Sequence, residues 1–166
     1  GYFGEEGNLK KVYKGNLLNG QKEGRWKSYF HSNGKKKFDE NWKDGERDGL
    51  FTQWYENGKK QKRGTFKDGE LDGLWTWWFE NGQKKDKGTY KDGKQVGLFT
   101  QWYENGQKKG EGKYKNGKGD GLQTDWYENG LKQKEGTFKD GEEDGLQTEW
   151  YENGKKSFEG TFKDGK

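Results

Sequence analysis

Apolar and polar positions alternate along this chain in short bursts. In residues 50–55, Leu50, Thr52 and Trp54 share one parity, while Phe51, Gln53 and Tyr55 share the other. Alternation with period two in a segment rich in aromatic and β-branched residues predicts a strand. The same six-residue pattern returns at 74–79, 98–103, 122–127 and 146–151. Each copy is followed by Asn-Gly, as at Asn57 and Gly58. That dipeptide is a strong hairpin signal when both turn residues take positive φ. "KKQKRGTFK" (Lys59 to Lys67) then reads as the return strand, and "DGELDG" (Asp68 to Gly73) as a second turn into the next unit. Both connections are too short for a parallel crossover. The pattern therefore predicts an antiparallel up-and-down meander of about 12–14 strands, each repeat adding about 10 Å. A glycine every few residues argues against helix.

Three glycine series carry the repeat. One runs Gly34, Gly58, Gly82, Gly106, Gly130, Gly154; a second Gly45, Gly69, Gly93, Gly117, Gly141, Gly165; a third Gly49, Gly73, Gly97, Gly121, Gly145; each steps by 24. Residues 1–24 read as a degenerate entry repeat, and 25–166 as about six units of 24 residues, the last incomplete, in one continuous domain. The expected fold is all-β: an elongated single-sheet antiparallel meander of 24-residue β-hairpin repeats.

The two faces of such a sheet differ. The triplet Leu50-Thr52-Trp54 recurs in kind at Leu74 and Trp78, Leu98 and Trp102, Leu122 and Trp126, and Leu146 and Trp150. Recurrence marks these leucines and tryptophans as the expected structural ridge. The opposite face drifts from aromatic to polar: Phe51-Gln53-Tyr55, Trp75-Trp77-Phe79, Phe99-Gln101-Tyr103, then Gln123-Asp125-Tyr127 and Gln147-Glu149-Tyr151. Because the last repeats do without them, Trp75, Trp77, Phe79, Phe51, Tyr55, Phe99 and Tyr103 are the candidate partner-binding patch. Covering a thin sheet together with lysine stems, or self-association, are the competing roles for Trp75 and Trp77. Register at the Asn-Gly turn stays open. A two-residue loop puts Phe66 on the variable face; a three-residue loop with a glycine bulge puts it on the Leu/Trp ridge. Recurrence of Trp42, Phe66, Tyr90, Tyr114, Phe138 and Phe162 favours the second, with Gly64, Gly88, Gly112, Gly136 and Gly160 leaving room for a facing ring.

Composition sharpens this picture. Only 24% of the 166 residues are hydrophobic, and mean hydropathy is −1.66. That alone suggests disorder, but aromatics reach 17%, which disordered chains lack. Net charge is +4 from 33 basic and 29 acidic residues, a mixed surface unlike that of a specific nucleic-acid binder. With no cysteine, disulfides and thiolate metal sites are excluded. With no methionine, the native start is expected to lie outside this sequence, so secreted, surface and cytoplasmic placements all stay open.

Catalytic chemistry is nearly absent. His31 stands alone, and Ser28, Ser32 and Ser157 lack a nucleophile context. Asp68, Glu70 and Asp72 mimic the start of a calcium loop, as do Asp44-Glu46-Asp48 and Asp140-Glu142-Asp144. Lys94, Lys118 and Val96 break that pattern elsewhere, so solvated turn charges are expected and no metal or cofactor. Lysines such as Lys59-Lys60 and Lys108-Lys109 follow each Asn-Gly. A solvated edge that blocks aggregation is expected of them, with contact to anionic lipid or nucleic acid the sharper alternative.

"GLFTQWYENGQKKGEGKYKNGKGDG" (97 to 121) resembles the MORN-repeat variant family, and the likeness extends over about residues 20 to 166. The resemblance implies a hairpin array without enzymatic activity, used as a scaffold, a partner-binding surface or a membrane-proximal tether. Some bacterial members are antitoxin or immunity components, and the family has no catalytic motif to transfer. The function expected is a non-enzymatic scaffold for a protein partner or for self-association, without a small-molecule substrate. A self-assembling filament or surface-layer subunit, an immunity protein capping a toxin, and a module for glycans or lipid heads are the alternatives.

Overall fold

A computed structural model describes residues 13–166 and the strand residues Tyr2–Phe3 and Lys10–Lys11. Strands β1 (Tyr2–Phe3) and β2 (Lys10–Lys11) pair antiparallel. The chain forms two units, residues 1–82 and 83–166. The first contains β3 (Tyr13–Leu18), β4 (Gln21–Tyr29), β5 (Lys36–Lys43), β6 (Glu46–Trp54), β7 (Lys60–Lys67) and β8 (Glu70–Trp78). The second contains β9 (Lys84–Lys91), β10 (Lys94–Trp102), β11 (Lys108–Lys115), β12 (Lys118–Trp126), β13 (Lys132–Lys139), β14 (Glu142–Trp150) and β15 (Lys156–Phe162). Strand order from β3 to β15 is sequence order, a 13-stranded meander, and no helix occurs among the described residues.

Two different turns alternate, and their chemistry differs from expectation. The two-residue loop with positive φ at both positions is Asp-Gly: Asp68 has φ 47° and Gly69 79°, between the paired Lys67 and Glu70. Aspartate and asparagine tolerate the left-handed region better than other side-chain residues, which explains Asn19, Asp44, Asp92, Asn116 and Asp140 at equivalent turns. The segment read as a long turn, 68–73, is therefore a two-residue turn running straight into β8. At Asn-Gly only the glycine turns left-handed (Gly58, φ 92°). The Gly58 N–H donates to the Tyr55 carbonyl at 2.9 Å, and the Tyr55 N–H to the Lys59 carbonyl at 2.8 Å. Glu56, Asn57 and Gly58 thus make a three-residue loop closed by a glycine bulge.

The three-residue loop favoured from sequence is present, yet Phe66 does not join the Leu/Trp ridge. A second bulge is the reason. Gln53 pairs with Lys62 but Trp54 with Lys60, so Gln61 is an extra residue that reverses the parity of β7. Phe66 accordingly packs edge-on against Phe51 at 5.3 Å and Trp75 at 5.0 Å. A third irregularity recurs where β7 meets β8. Arg63 pairs with Thr76 and Thr65 with Asp72, so three residues, Gly73 to Trp75, oppose Gly64 alone.

That local excess swings the Trp75 ring over Gly64. A Cβ at Gly64 would fall inside the ring, so only glycine fits beneath it. Phe99 lies likewise over Gly88, and the amides of Gln123 and Gln147 over Gly112 and Gly136. The facing ring expected at these glycines is present over Gly64 and Gly88, whereas a glutamine side chain takes its place at Gly112 and Gly136.

The core consequently lies on the face expected to bind a partner. Phe51, Trp75 and Phe99 are 2%, 1% and 7% exposed. Leu50, Leu74, Leu98, Leu122 and Leu146, placed in the structural ridge from sequence, are 53–56% exposed. Trp54, Trp78, Trp102, Trp126 and Trp150 are half-buried.

Candidate partner-binding face

In the first unit the expected patch residues form a packed stack. Phe51 meets Trp75 at 5.9 Å between ring centroids, and Trp77 stacks on Trp75 at 5.6 Å and 29°. Phe38 closes the other end, 6.0 Å from Phe51. The Trp75 Nε1–H donates to the Thr65 carbonyl at 2.9 Å, which satisfies the indole polar atom inside the stack. Arg47 caps the cluster, 5.6 Å from Phe51 and 5.5 Å from Phe66, and pairs with Glu40 at 3.0 Å. Beside it, burial lowers the Lys62 ammonium from its usual range, and the nearby Arg47 charge adds to the effect. Trp75 and Phe51 therefore have no surface to offer a partner. Trp77 and Phe79 keep partial exposure.

Tyr55 and Tyr103 also serve the scaffold. The Tyr55 hydroxyl donates to the Trp78 carbonyl at 2.8 Å, the Tyr103 hydroxyl to the Trp126 carbonyl at 2.7 Å, and Tyr127 repeats the link to Trp150 at 2.8 Å. Asn57 does similar work in the turn layer. Its Nδ2 donates to the Glu80 carbonyl at 3.0 Å while its Oδ1 accepts from the Lys59 N–H at 2.9 Å. In the second unit Phe99 sits between Tyr90 at 5.4 Å and Tyr114 at 5.8 Å, both edge-on.

The exposed face is the Leu/Thr/Trp face. In the first unit two clefts adjoin on it and share Leu50, Lys60 and Arg63. One, of about 440 Å³, has Thr52 and Trp54 in its lining, with Arg25 and Asp39 also contributing. The other, of about 300 Å³, includes Leu74, Thr76 and Trp78. Lysine ammoniums lie over the tryptophans, Lys36 5.5 Å from the Trp54 centroid and Lys60 6.0 Å from that of Trp78. The same arrangement joins Lys84 to Trp102, Lys108 to Trp126 and Lys132 to Trp150 in the second unit.

Between those tryptophans and leucines runs a polar rung. In the second unit the Thr100 hydroxyl donates to Glu111 at 3.2 Å, and Lys108 pairs with the same carboxylate at 2.8 Å. Thr124-Glu135-Lys132 and Thr148-Glu159-Lys156 repeat the triad. In the first unit Asp39 occupies the acid position, held by Arg25 at 2.6 Å and Lys36 at 3.4 Å. The Arg25 hydrogen bonds hold its carboxyl below the usual carboxylate range. Among the described residues no group of three or more His, Cys, Asp or Glu side chains could hold a metal ion.

The MORN repeat variant model matches residues 47–68, 71–92, 95–116, 119–140 and 143–164. The chain belongs to this family. Each match starts in the strand after an Asp-Gly turn and runs through the Asn-Gly loop and the return strand. MORN repeats form scaffolds and generally mediate protein or membrane interactions, and the family is generally non-catalytic. A search of curated proteins finds no match.

Proposed function

We propose that this MORN-repeat chain is a non-enzymatic scaffold that holds a protein partner on its Leu/Thr/Trp face. One observation carries the reading: every repeat from 50 onward leaves its leucine more than half exposed beside a half-buried tryptophan. A soluble sheet rarely repeats an open apolar row without a use, because large exposed apolar patches mark contact surfaces. The aromatic residues expected to bind, Trp75 and Phe51 above all, instead hold the opposite face together.

The test is chemical crosslinking with mass spectrometry of wild type against Leu50→Ser with Leu74→Ser. Both leucines are exposed, so far-UV circular dichroism is expected to stay unchanged while crosslinks to the partner disappear. Retained crosslinks in the double variant would sink the assignment of this face. Light scattering over a concentration series separates a foreign partner from a second copy of this chain.

A further inference from the structure

Positions 63 and 87 break the polar rung of the exposed face, and of the two only Arg63 lines the clefts of the first unit. The corresponding residues at 39, 111, 135 and 159 are acids, Asp39, Glu111, Glu135 and Glu159, each paired with the lysine three residues before it. At 63 the residue is arginine, and the residue three before it is Lys60. Two cations therefore stand where the rungs at 39, 111, 135 and 159 have a neutral pair, and Lys84 with Lys87 repeats the change one repeat on. Among the described residues neither Arg63 nor Lys60 has an ion-pair partner. Arg63 is exposed, pairs across the ladder with both Thr52 and Thr76, and lines both clefts. Leu50 and Leu74 stand beside it, 56% and 55% exposed.

Resting on the proposed protein-binding role of this face, we infer that the Arg63 rung is a subsite for an acidic, leucine-rich extended peptide segment of the partner. Two carboxylates of such a segment neutralise Arg63 and Lys60. Its intervening apolar side chains enter the clefts over Leu50-Trp54 and Leu74-Trp78. Arginine suits this task because its planar fork takes a carboxylate through two hydrogen bonds. The clefts, about 440 and 300 Å³, each have room for more than one side chain and lie between leucines, which favours a peptide over the flat plane of a lipid surface. Asp39, already neutralised by Arg25, bounds the site on one side.

The test uses the full chain and fluorescence anisotropy of a labelled peptide of alternating Asp and Leu, against one of alternating Lys and Leu. Arg63→Glu is the key variant, because it recreates the Lys-Glu-Thr rung seen at Glu111, Glu135 and Glu159 and so keeps the fold. Saturable binding of the acidic peptide, weakened about tenfold or more in Arg63→Glu with unchanged circular dichroism, is expected. The converse variant Glu111→Arg is expected to tighten binding. If Arg63→Glu binds like wild type while Leu50→Ser with Leu74→Ser loses the peptide, the charge subsite is wrong and the face survives. If neither variant changes binding, both fall. Absence of binding by wild type, equal binding of the basic peptide, or Arg63-dependent binding to phosphatidylserine vesicles in place of the peptide also overturns the inference.

Discussion

At the scale of single residues, the same position solves one packing problem in two chemistries. Trp75 lies over Gly64 and donates its indole N–H to the Thr65 carbonyl at 2.9 Å. Gln147, 1% exposed, lies over Gly136 and donates its Nε2–H to the Thr137 carbonyl, also at 2.9 Å. The bond to the carbonyl ten residues back is thus common to both side chains, while the aromatic area is not. Trp75→Ala is expected to cost about 3–5 kcal/mol by urea denaturation, as a large buried aromatic lost to a cavity. Trp75→Gln is expected to recover part of that loss, because the donor is restored. Equal losses in the two variants would show that the hydrogen bond contributes nothing. Asp39 gives a pH prediction. Its carboxyl is held below the ordinary value of 3.8 by Arg25, so the folded state binds its proton less readily than the unfolded state. The pair's contribution is present above pH 3.8 and is lost as pH falls through that value and below. In Asp39→Asn, urea midpoints measured across this range should fall less steeply on acidification than in wild type.

At the scale of the element, bulges decide what each hairpin buries. Strand identity, the Asn-Gly loop and the glycine spacing were legible because they depend on local chemistry, whereas the turn with positive φ at both residues proved to be Asp-Gly and not Asn-Gly. The burying face was not legible, and Gln61 shows why. It has no distinctive side chain, yet as an extra residue opposite Gln53-Trp54 it moves Phe66 from the ridge to the aromatic stack. Deletion of Gln61 is therefore expected to turn Phe66 outward and strip the Phe51-Trp75 cluster of its edge partner. Hydrogen exchange should then show lost protection across β6 to β8, and unchanged protection would refute the parity argument. The recurrence of tyrosine at 55, 103 and 127 and of asparagine at 57, 105 and 129 was visible too. Their roles as links to carbonyls about one repeat onward were available from that spacing, but only as a pattern without an acceptor.

At the scale of the whole molecule, each strand from β3 onward packs within its unit on the next in sequence, so stability is expected to grow as a sum of repeats and their junctions. Removal of residues 143–166 should lower the melting temperature by about 2–8 °C and leave the near-ultraviolet signal of the Phe51-Trp75 cluster intact. Collapse of the whole fold on that truncation would contradict a linear array.

By itself the sequence determined the repeat, the all-β meander and the family, since all of these follow from residue types at short fixed spacings. Tertiary structure alone decided which face is core. Recurrence was read as burial, yet the recurrent leucines are exposed and the drifting positions 51, 75 and 99 are buried. The physical reason is that glycine at 64 and 88 lets a ring lie flat against the backbone, a close approach that closes the core from one side of a single sheet. Tertiary pairing likewise set Arg63 between Thr52 and Thr76, where a change of sign in a charge ladder becomes an open cationic rung among exposed leucines.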